Sequence, residues 1–175
     1  MRGTLAWQPY GPDTEHLVAE PVRRLAGSLP GLEVAEIDPE LADTAELCRA
    51  YDTPEDHAAN CVVVAGRRGE RTSYAAAMVL ATTRADVNAT IRKRLDARKA
   101  SFAPMADAVR LTGMEYGGIT PVGVPKDWAI LVDEQVLAAG DVVIGAGLRR
   151  AKLLLPAHSL LELPGAELLA LSLAN

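Results

Sequence analysis

The sequence has few cysteines and lacks a long apolar run. Cys48 and Cys61 are the only cysteines among 175 residues, and no secretory leader pattern opens the chain. Scarce cysteine is typical of proteins in a reducing compartment, so we expect a cytoplasmic location. The apolar stretches are much shorter than the ~18 residues that a membrane-spanning helix needs, so no membrane partner is expected.

Aromatic residues are also scarce, at 4% of a chain that is 49% hydrophobic. The core must therefore be built mainly from alanine, valine, leucine and isoleucine. A chain of this length corresponds to about one domain, and we expect residues 1–175 to form one. The net charge of −5 argues against a protein that coats nucleic acid, because such proteins neutralise phosphates with Lys and Arg. It still allows a local basic patch.

Glycine is concentrated in one stretch, Met114–Gly123, which holds three glycines and Pro121. The stretch lies between a predicted helix, Met105–Thr112, and a predicted strand, Trp128–Val132. Glycine has no Cβ to block an approach, so such a loop can present its N–H groups to a phosphate or a developing oxyanion. An ordinary connecting turn has the same composition, and both interpretations remain open.

Strands and helices are predicted to alternate irregularly. Asn60–Ala65 and Thr72–Leu80 read as an antiparallel hairpin, and Asp141–Ile144 and Ala151–Leu155 as buried strands. A hairpin without regular strand-helix alternation favours an α+β (mixed α/β) fold with a mixed sheet over a doubly wound one.

A basic helix is predicted over Asp86–Lys99. Asp86 can cap it, and Val87, Ile91 and Leu95 fall on one apolar face. The remaining surface carries five basic residues: Arg92, Lys93, Arg94, Arg98 and Lys99. This surface is either an ordinary solvated helix face or a docking surface for an RNA backbone.

The sequence lacks the residue patterns of several common functional sites. Arg150 occupies the third glycine position of a dinucleotide-binding motif that would begin at Gly145. His16, His57 and His158 are far apart in sequence, so no metal site is predicted. No cofactor is expected either, and no Ser/His/Asp grouping or phosphate-binding loop is recognisable.

The glycine stretch, taken with its neighbours, resembles the YbaK/ProX family of aminoacyl-tRNA deacylases, which are related to the editing domain of bacterial prolyl-tRNA synthetase. Gly117 and Pro121 match the family's G-x-x-x-P loop. The strand Cys61–Ala65 and the segment Ile144–Arg149 occur in the family's order. The resemblance spans roughly Thr53–Ala170.

The resemblance implies a curved mixed sheet or partial barrel flanked by helices, with a cleft lined by the glycine-rich loops. It also implies a reaction in which water hydrolyses the ester of a mischarged tRNA. The terminal ribose hydroxyl of the substrate assists, and loop amides stabilise the oxyanion. No protein nucleophile is required.

The resemblance also implies which residues form the site. The catalytic loop would comprise Gly117, Gly118, Thr120 and Pro121. Substrate would be bound by Asn60, Gly145, Gly147 and Arg149. Asn60 occupies a position where the family usually has lysine, and a neutral amide is expected to anchor substrate more weakly than a charged group. A second departure lies near Lys152, where the family has an acidic residue.

The resulting expectation is a trans-acting aminoacyl-tRNA editing hydrolase. Its substrate would be the acceptor end of aminoacyl-tRNA, and an aminoacyl-tRNA synthetase is a candidate partner. The alternative is a degenerate family member that binds an aminoacyl or nucleotide ligand without turnover. The missing lysine favours this alternative, whereas the intact glycine loop favours hydrolysis.

Overall fold

The protein is described by a computed structural model that covers residues 2–175; Met1 lies outside the described residues. Five α-helices and eleven strands alternate irregularly along residues 2–175. The helices are α1 Glu20–Ala26, α2 Thr44–Tyr51, α3 Arg92–Arg94, α4 Met105–Thr112 and α5 Glu134–Ala138. The strands are β1 Gln8–Pro9, β2 Glu33–Glu36, β3 Ala59–Arg68, β4 Arg71–Leu80, β5 Thr83–Ala85, β6 Lys99–Phe102, β7 Ala129–Asp133, β8 Asp141–Gly145, β9 Ala151–Pro156, β10 Ala166–Leu169 and β11 Ser172–Ala174.

The strands of the described chain form three open sheets. A five-stranded sheet has the order β10-β7-β4-β3-β6 and is mixed, because β4 and β10 run parallel to β7 whereas β3 is antiparallel to its neighbours. A four-stranded sheet, β1-β2-β9-β8, is antiparallel throughout, and β5 pairs with β11. The predicted mixed α/β class is confirmed, and its strands are divided among separate sheets.

The two larger sheets pack against each other through aliphatic side chains, as the low aromatic content requires. The main cluster includes Val22 of α1, Met78 of β4, Val132 of β7 and Leu153 of β9, all buried. Burial of apolar surface at about 25 cal/mol per Å² is the dominant favourable contribution to such a core. This packing brings the ends of β3, β8 and β9 close to one another.

The predicted helix Met105–Thr112 is confirmed by α4, and local sequence explains how two of the helices begin and end. The Asp43 carboxylate accepts a hydrogen bond from the Ala45 amide at 3.1 Å and thereby caps α2. Gly113 ends α4 in the left-handed conformation, with φ of 69°. The predicted hairpin is also confirmed, with Ala59 opposite Leu80 and Arg68 opposite Arg71.

The predicted helix Asp86–Lys99 is too long and needs correction. Asp86 caps it, and the three apolar residues of its inner face are buried. However, the segment is a π-helical turn, Val87–Ile91, that continues into α3 and ends at Arg94. Lys99 begins β6 and pairs with Arg67 of β3. Pairing with the sheet edge overrides helix propensity, which is a weak preference that tertiary contacts often outweigh.

No helix among residues 2–175 is both long enough and apolar enough to cross a membrane.

Candidate functional site

A cleft of about 480 Å³ lies where β3 begins, β8 ends and the loop after α4 crosses over them. The N-terminus of α2 forms its remaining wall. Its lining residues come from these four elements and their neighbours: Ala42, Asp43, Thr44, Ala45, Glu55, Ala59, Asn60, Cys61, Val62, Ala81, Tyr116, Gly117, Ile119, Gly145 and Lys152. A volume of this size is typical of small-molecule sites.

The structure brings three of the eight predicted site residues to this cleft. Asn60, Gly117 and Gly145 line it although they are far apart in sequence. Asn60 lies near the start of β3, and its Oδ1 accepts a hydrogen bond from the Thr44 hydroxyl at 2.5 Å. The side-chain amide is therefore held against the wall formed by α2.

The glycine loop uses part of its own backbone to fold. The Gly118 amide donates to the Glu115 carbonyl at 2.9 Å, and the Gly118 carbonyl accepts from the Gly147 amide at 2.7 Å. The Gly118 amide is thus engaged inside the loop, which differs from the expectation that it faces a substrate. Gly117 and Ile119 line the cleft instead. Within residues 2–175, no hydrogen bond is donated by either of their amides.

Thr120 and Pro121 are buried behind the cleft and do not line it. Thr120 is completely buried, and its hydroxyl has no hydrogen-bond partner in the described part of the chain. The contact predicted for Thr120 is one of its backbone, so burial of the side chain does not test it. This contact and the catalytic role of Pro121 stay predictions.

Two of the remaining glycines allow the loop to approach β8 closely. A Cβ on Gly145 would lie 2.5 Å from the Gly118 carbonyl oxygen and 2.7 Å from that of Ile119. Gly147 has φ of 84°, and a Cβ there would lie 2.4 Å from Ala19. Gly147 does not line the cleft, so the structure gives it a role in packing.

Arg149 contacts the loop rather than the interior of the cleft. Its guanidinium donates to the Tyr116 carbonyl at 3.1 Å and to the Pro39 carbonyl at 2.9 Å. Its backbone amide donates to Glu115 Oε1 at 2.7 Å. These bonds connect the glycine loop to the segment before α2, which favours a positioning role. Direct contact between Arg149 and a substrate stays a prediction.

Lys152, which was not among the predicted site residues, lies on β9 directly opposite Gly145 and lines the cleft. Only 6% of its surface is exposed. Burial lowers the pKa of its ammonium to about 8, an effect that Asp43 and Cys48 oppose and that Arg149 reinforces. One signal was present in the sequence, because this lysine interrupts an otherwise apolar strand.

Neither the Cys61 thiol nor the Thr44 hydroxyl of the cleft is activated as a nucleophile. Burial raises the pKa of the Cys61 thiol to about 12, so it stays protonated at neutral pH. The Thr44 hydroxyl donates to Asn60, and an amide oxygen is not a base of useful strength. No group of three metal-ligating side chains occurs among residues 2–175. The arrangement therefore offers amides and an ammonium that can stabilise negative charge on a bound ligand.

The fold is one that solved structures already represent. A hypothetical protein, APE2540, superposes with a TM-score of 0.77 at 21% identity, over 88% of this chain and 100% of that one. A candidate trans-editing enzyme for prolyl tRNA synthetase superposes with a TM-score of 0.73 at 23% identity, over 90% of this chain and 99% of that one. At identities this low, the superpositions establish a shared fold and nothing more.

Membership of a family rests on the sequence itself. Residues 38–163 match the family model of the aminoacyl-tRNA editing domain, and the chain belongs to this family. The matched segment contains the whole lining of the cleft. Comparison with curated proteins gave no match.

Proposed function

We propose that the protein, acting as a single domain and in trans, deacylates mischarged tRNA by hydrolysing the ester between the amino acid and the terminal ribose. One observation carries the proposal. In this chain of the aminoacyl-tRNA editing family, two loop amides that line the cleft donate no hydrogen bond within the described residues, and the cleft has no activated nucleophile. Such a site suits attack by water on an ester that the protein holds and polarises.

In this mechanism the ester carbonyl oxygen lies against the amides of Gly117 and Ile119. Water attacks the carbonyl carbon, the bond from that carbon to the ribose oxygen breaks, and the ribose oxygen takes up a proton. The neighbouring ribose hydroxyl helps to orient the water. Loss of one oxyanion donor typically costs ~10²–10³ in rate, so two preorganised amides supply a substantial part of the catalysis.

Isotope labelling tests whether water is the nucleophile. Deacylation in H₂¹⁸O should place the label in the carboxylate of the released amino acid, with no labelled or acylated protein at any time. A tRNA that ends in 2′-deoxyadenosine should react at least ~10-fold more slowly if the hydroxyl orients the water. Trapping of an acyl-protein on Thr44 or Cys61 would contradict the mechanism.

The tRNA body needs a surface outside the cleft. A second groove, of about 620 Å³, is lined by four basic residues, Arg67, Arg92, Arg98 and Lys99. Arg94, in contrast, is ion-paired with Glu167 and is less available. We place the acceptor-stem backbone on this groove, since Lys and Arg contacts to phosphate supply most of the sequence-independent affinity.

Charge reversal in this groove is expected to weaken tRNA binding. The triple variant Arg67→Glu, Arg92→Glu, Arg98→Glu should flatten the salt dependence, because each lost phosphate contact removes roughly 0.7–0.9 from the logarithmic slope. Fluorescence anisotropy over a series of salt concentrations measures this. Arg24→Glu, at an exposed position on α1 that lines neither groove nor cleft, is the control. An unchanged salt-dependence slope in the triple variant would show that the groove is an ordinary solvated surface and does not bind tRNA.

A synthetase partner and a cytoplasmic location complete the proposal. Both are consistent with an enzyme that meets aminoacyl-tRNA after its release from a synthetase. Prolyl-tRNA synthetase is the candidate, on the strength of the solved structure described above. Co-purification of the two proteins, with and without tRNA, would test the association.

A further inference from the structure

Lys152 is the cleft residue that stability alone does not explain. It is 6% exposed, yet within the described residues its ammonium forms no hydrogen bond and no salt bridge, and the Asp43 carboxylate attracts it only from further away. Removing an ammonium from water costs several kcal/mol unless a partner compensates. Among the lining residues of the described chain it is also the only cation. A buried ammonium that lines a cleft and has no direct partner is a candidate functional group, and its charge suits an anionic or electron-rich ligand atom.

The strand register determines which way Lys152 faces. Lys152 is directly opposite Gly145, and side chains at opposite positions of an antiparallel pair lie on the same face of the sheet. The missing side chain of Gly145 would contact the carbonyls of Gly118 and Ile119. Lys152 therefore emerges on the face that the glycine loop covers. The lysine and the loop residues Gly117 and Ile119 line the same cleft.

We propose that the Lys152 ammonium contacts the carbonyl oxygen of the scissile ester and stabilises the oxyanion together with the Gly117 and Ile119 amides. This inference rests on the proposed function. The deep position favours the ester over a tRNA phosphate, which is strongly hydrated and would lie at the mouth of the cleft. Lys152 stays protonated throughout and transfers no proton.

Asn60 and Lys152 together explain how the cleft is charged. The neutral Asn60 amide is held by Thr44 on the wall formed by β3 and α2. The positive charge comes from β9 on the other side. The acidic neighbours Asp43 and Glu55 also line the cleft, and Asp43 is engaged in capping α2. The ammonium therefore has attractive neighbours without being neutralised by a close ion pair.

Lys152→Met tests the proposal, because methionine has a similar length and no charge. We expect kcat for deacylation to fall at least 100-fold with KM changed less than threefold, since the contact forms mainly in the transition state. The melting temperature should rise, because removal of an uncompensated buried charge relieves a desolvation cost. Lys126→Met, at an exposed loop position, is the matched control and should change neither quantity.

A structural role would give the opposite signature. If Lys152 only supports the fold, Lys152→Met lowers the melting temperature together with activity, and the proposal is overturned. A rise in KM with kcat unchanged would assign the ammonium to a ground-state phosphate contact and would also overturn it. Unchanged kinetics would do the same.

The pH profile gives a second readout. Four groups surround the ammonium: Asp43 and Cys48 at α2, Glu55 across the cleft, and Arg149 before β9. With its pKa lowered to about 8, Lys152 is mostly charged at pH 7. The ratio of wild-type to Lys152→Met kcat/KM should be constant below pH 8 and fall above it. A ratio that rises through pH 8 would indicate a neutral lysine acting as base and would overturn the proposal.

Two stable analogues separate this inference from the proposed function. One is a 3′-aminoacylamido adenosine, which mimics the ground state, and the other is a phosphonate that mimics the tetrahedral oxyanion. Lys152→Met should weaken phosphonate binding at least 100-fold and amide binding less than threefold. If the wild type deacylates no tRNA but this difference holds, the proposed function fails and the anion site stands. Equal loss for both analogues, or no phosphonate binding by the wild type, overturns the inference.

Discussion

Gly145→Ala is expected to disrupt the cleft and to abolish most of the deacylation activity. The new methyl group would lie 2.5 Å from the Gly118 carbonyl oxygen, and a backbone atom cannot move aside as a flexible side chain can. Overpacking of this kind typically costs about 1–3 kcal/mol. Displacement of the loop by about 1 Å would lower the rate by roughly 10² even where the protein still folds.

Thermal unfolding and single-turnover deacylation together measure this effect. For a chain of this size, 1 kcal/mol corresponds to a shift of about 2–4 °C in melting temperature. Gly27→Ala is the matched control, because a Cβ there has no atom within 4 Å and its φ is −64°. If Gly145→Ala behaves like this control in both measurements, the close packing of loop and strand is not required for the site.

Arg149→Ala is expected to lower kcat/KM by at least tenfold while leaving most of the fold intact. The guanidinium connects the Tyr116 and Pro39 carbonyls, and hydrogen bonds from a charged group contribute about 1.5–3 kcal/mol each. Partial exposure places these bonds near the lower end of that range. Their loss releases the loop residue next to Gly117, so its amide is no longer held in position for an oxyanion.

Arg149→Lys separates the two bonds from the charge. Lysine keeps the charge but lacks the planar fork that reaches two carbonyls, so we expect it to restore little of the lost rate. Arg110→Ala, which removes an exposed ion pair with Asp107 on α4, is the control. Hydrogen exchange of the loop amides should increase in both Arg149 variants. Full activity in Arg149→Lys would show that charge, rather than geometry, is what Arg149 provides.

Local patterns in the sequence predicted a large part of the fold. The helix Met105–Thr112 and the hairpin of β3 and β4 depend on residues that are close in the sequence. The end of α3 was predicted poorly, because Lys99 pairs with Arg67 more than thirty positions earlier in the chain. Local propensity does not reveal such a pairing.

The candidate site was predictable to a smaller extent. The glycine pattern indicated a loop with accessible amides, but it did not reveal that the Gly118 amide bonds to Glu115. The role of Lys152 depends on the register between β8 and β9 and on the burial that follows from it. Both features are tertiary. The one local sign of the role of Lys152 was that it is a single polar residue in an apolar strand.

The most direct test is a deacylation assay with a panel of mischarged tRNAs, each compared with its correctly charged counterpart. Release of the amino acid is followed for the wild type, Lys152→Met and Lys126→Met. We expect the wild type to hydrolyse at least one mischarged tRNA well above the spontaneous rate. We also expect Lys126→Met to keep this activity and Lys152→Met to lose at least 100-fold. Spontaneous rates for every tRNA in the panel, with all three proteins folded, would contradict the assignment as an editing hydrolase.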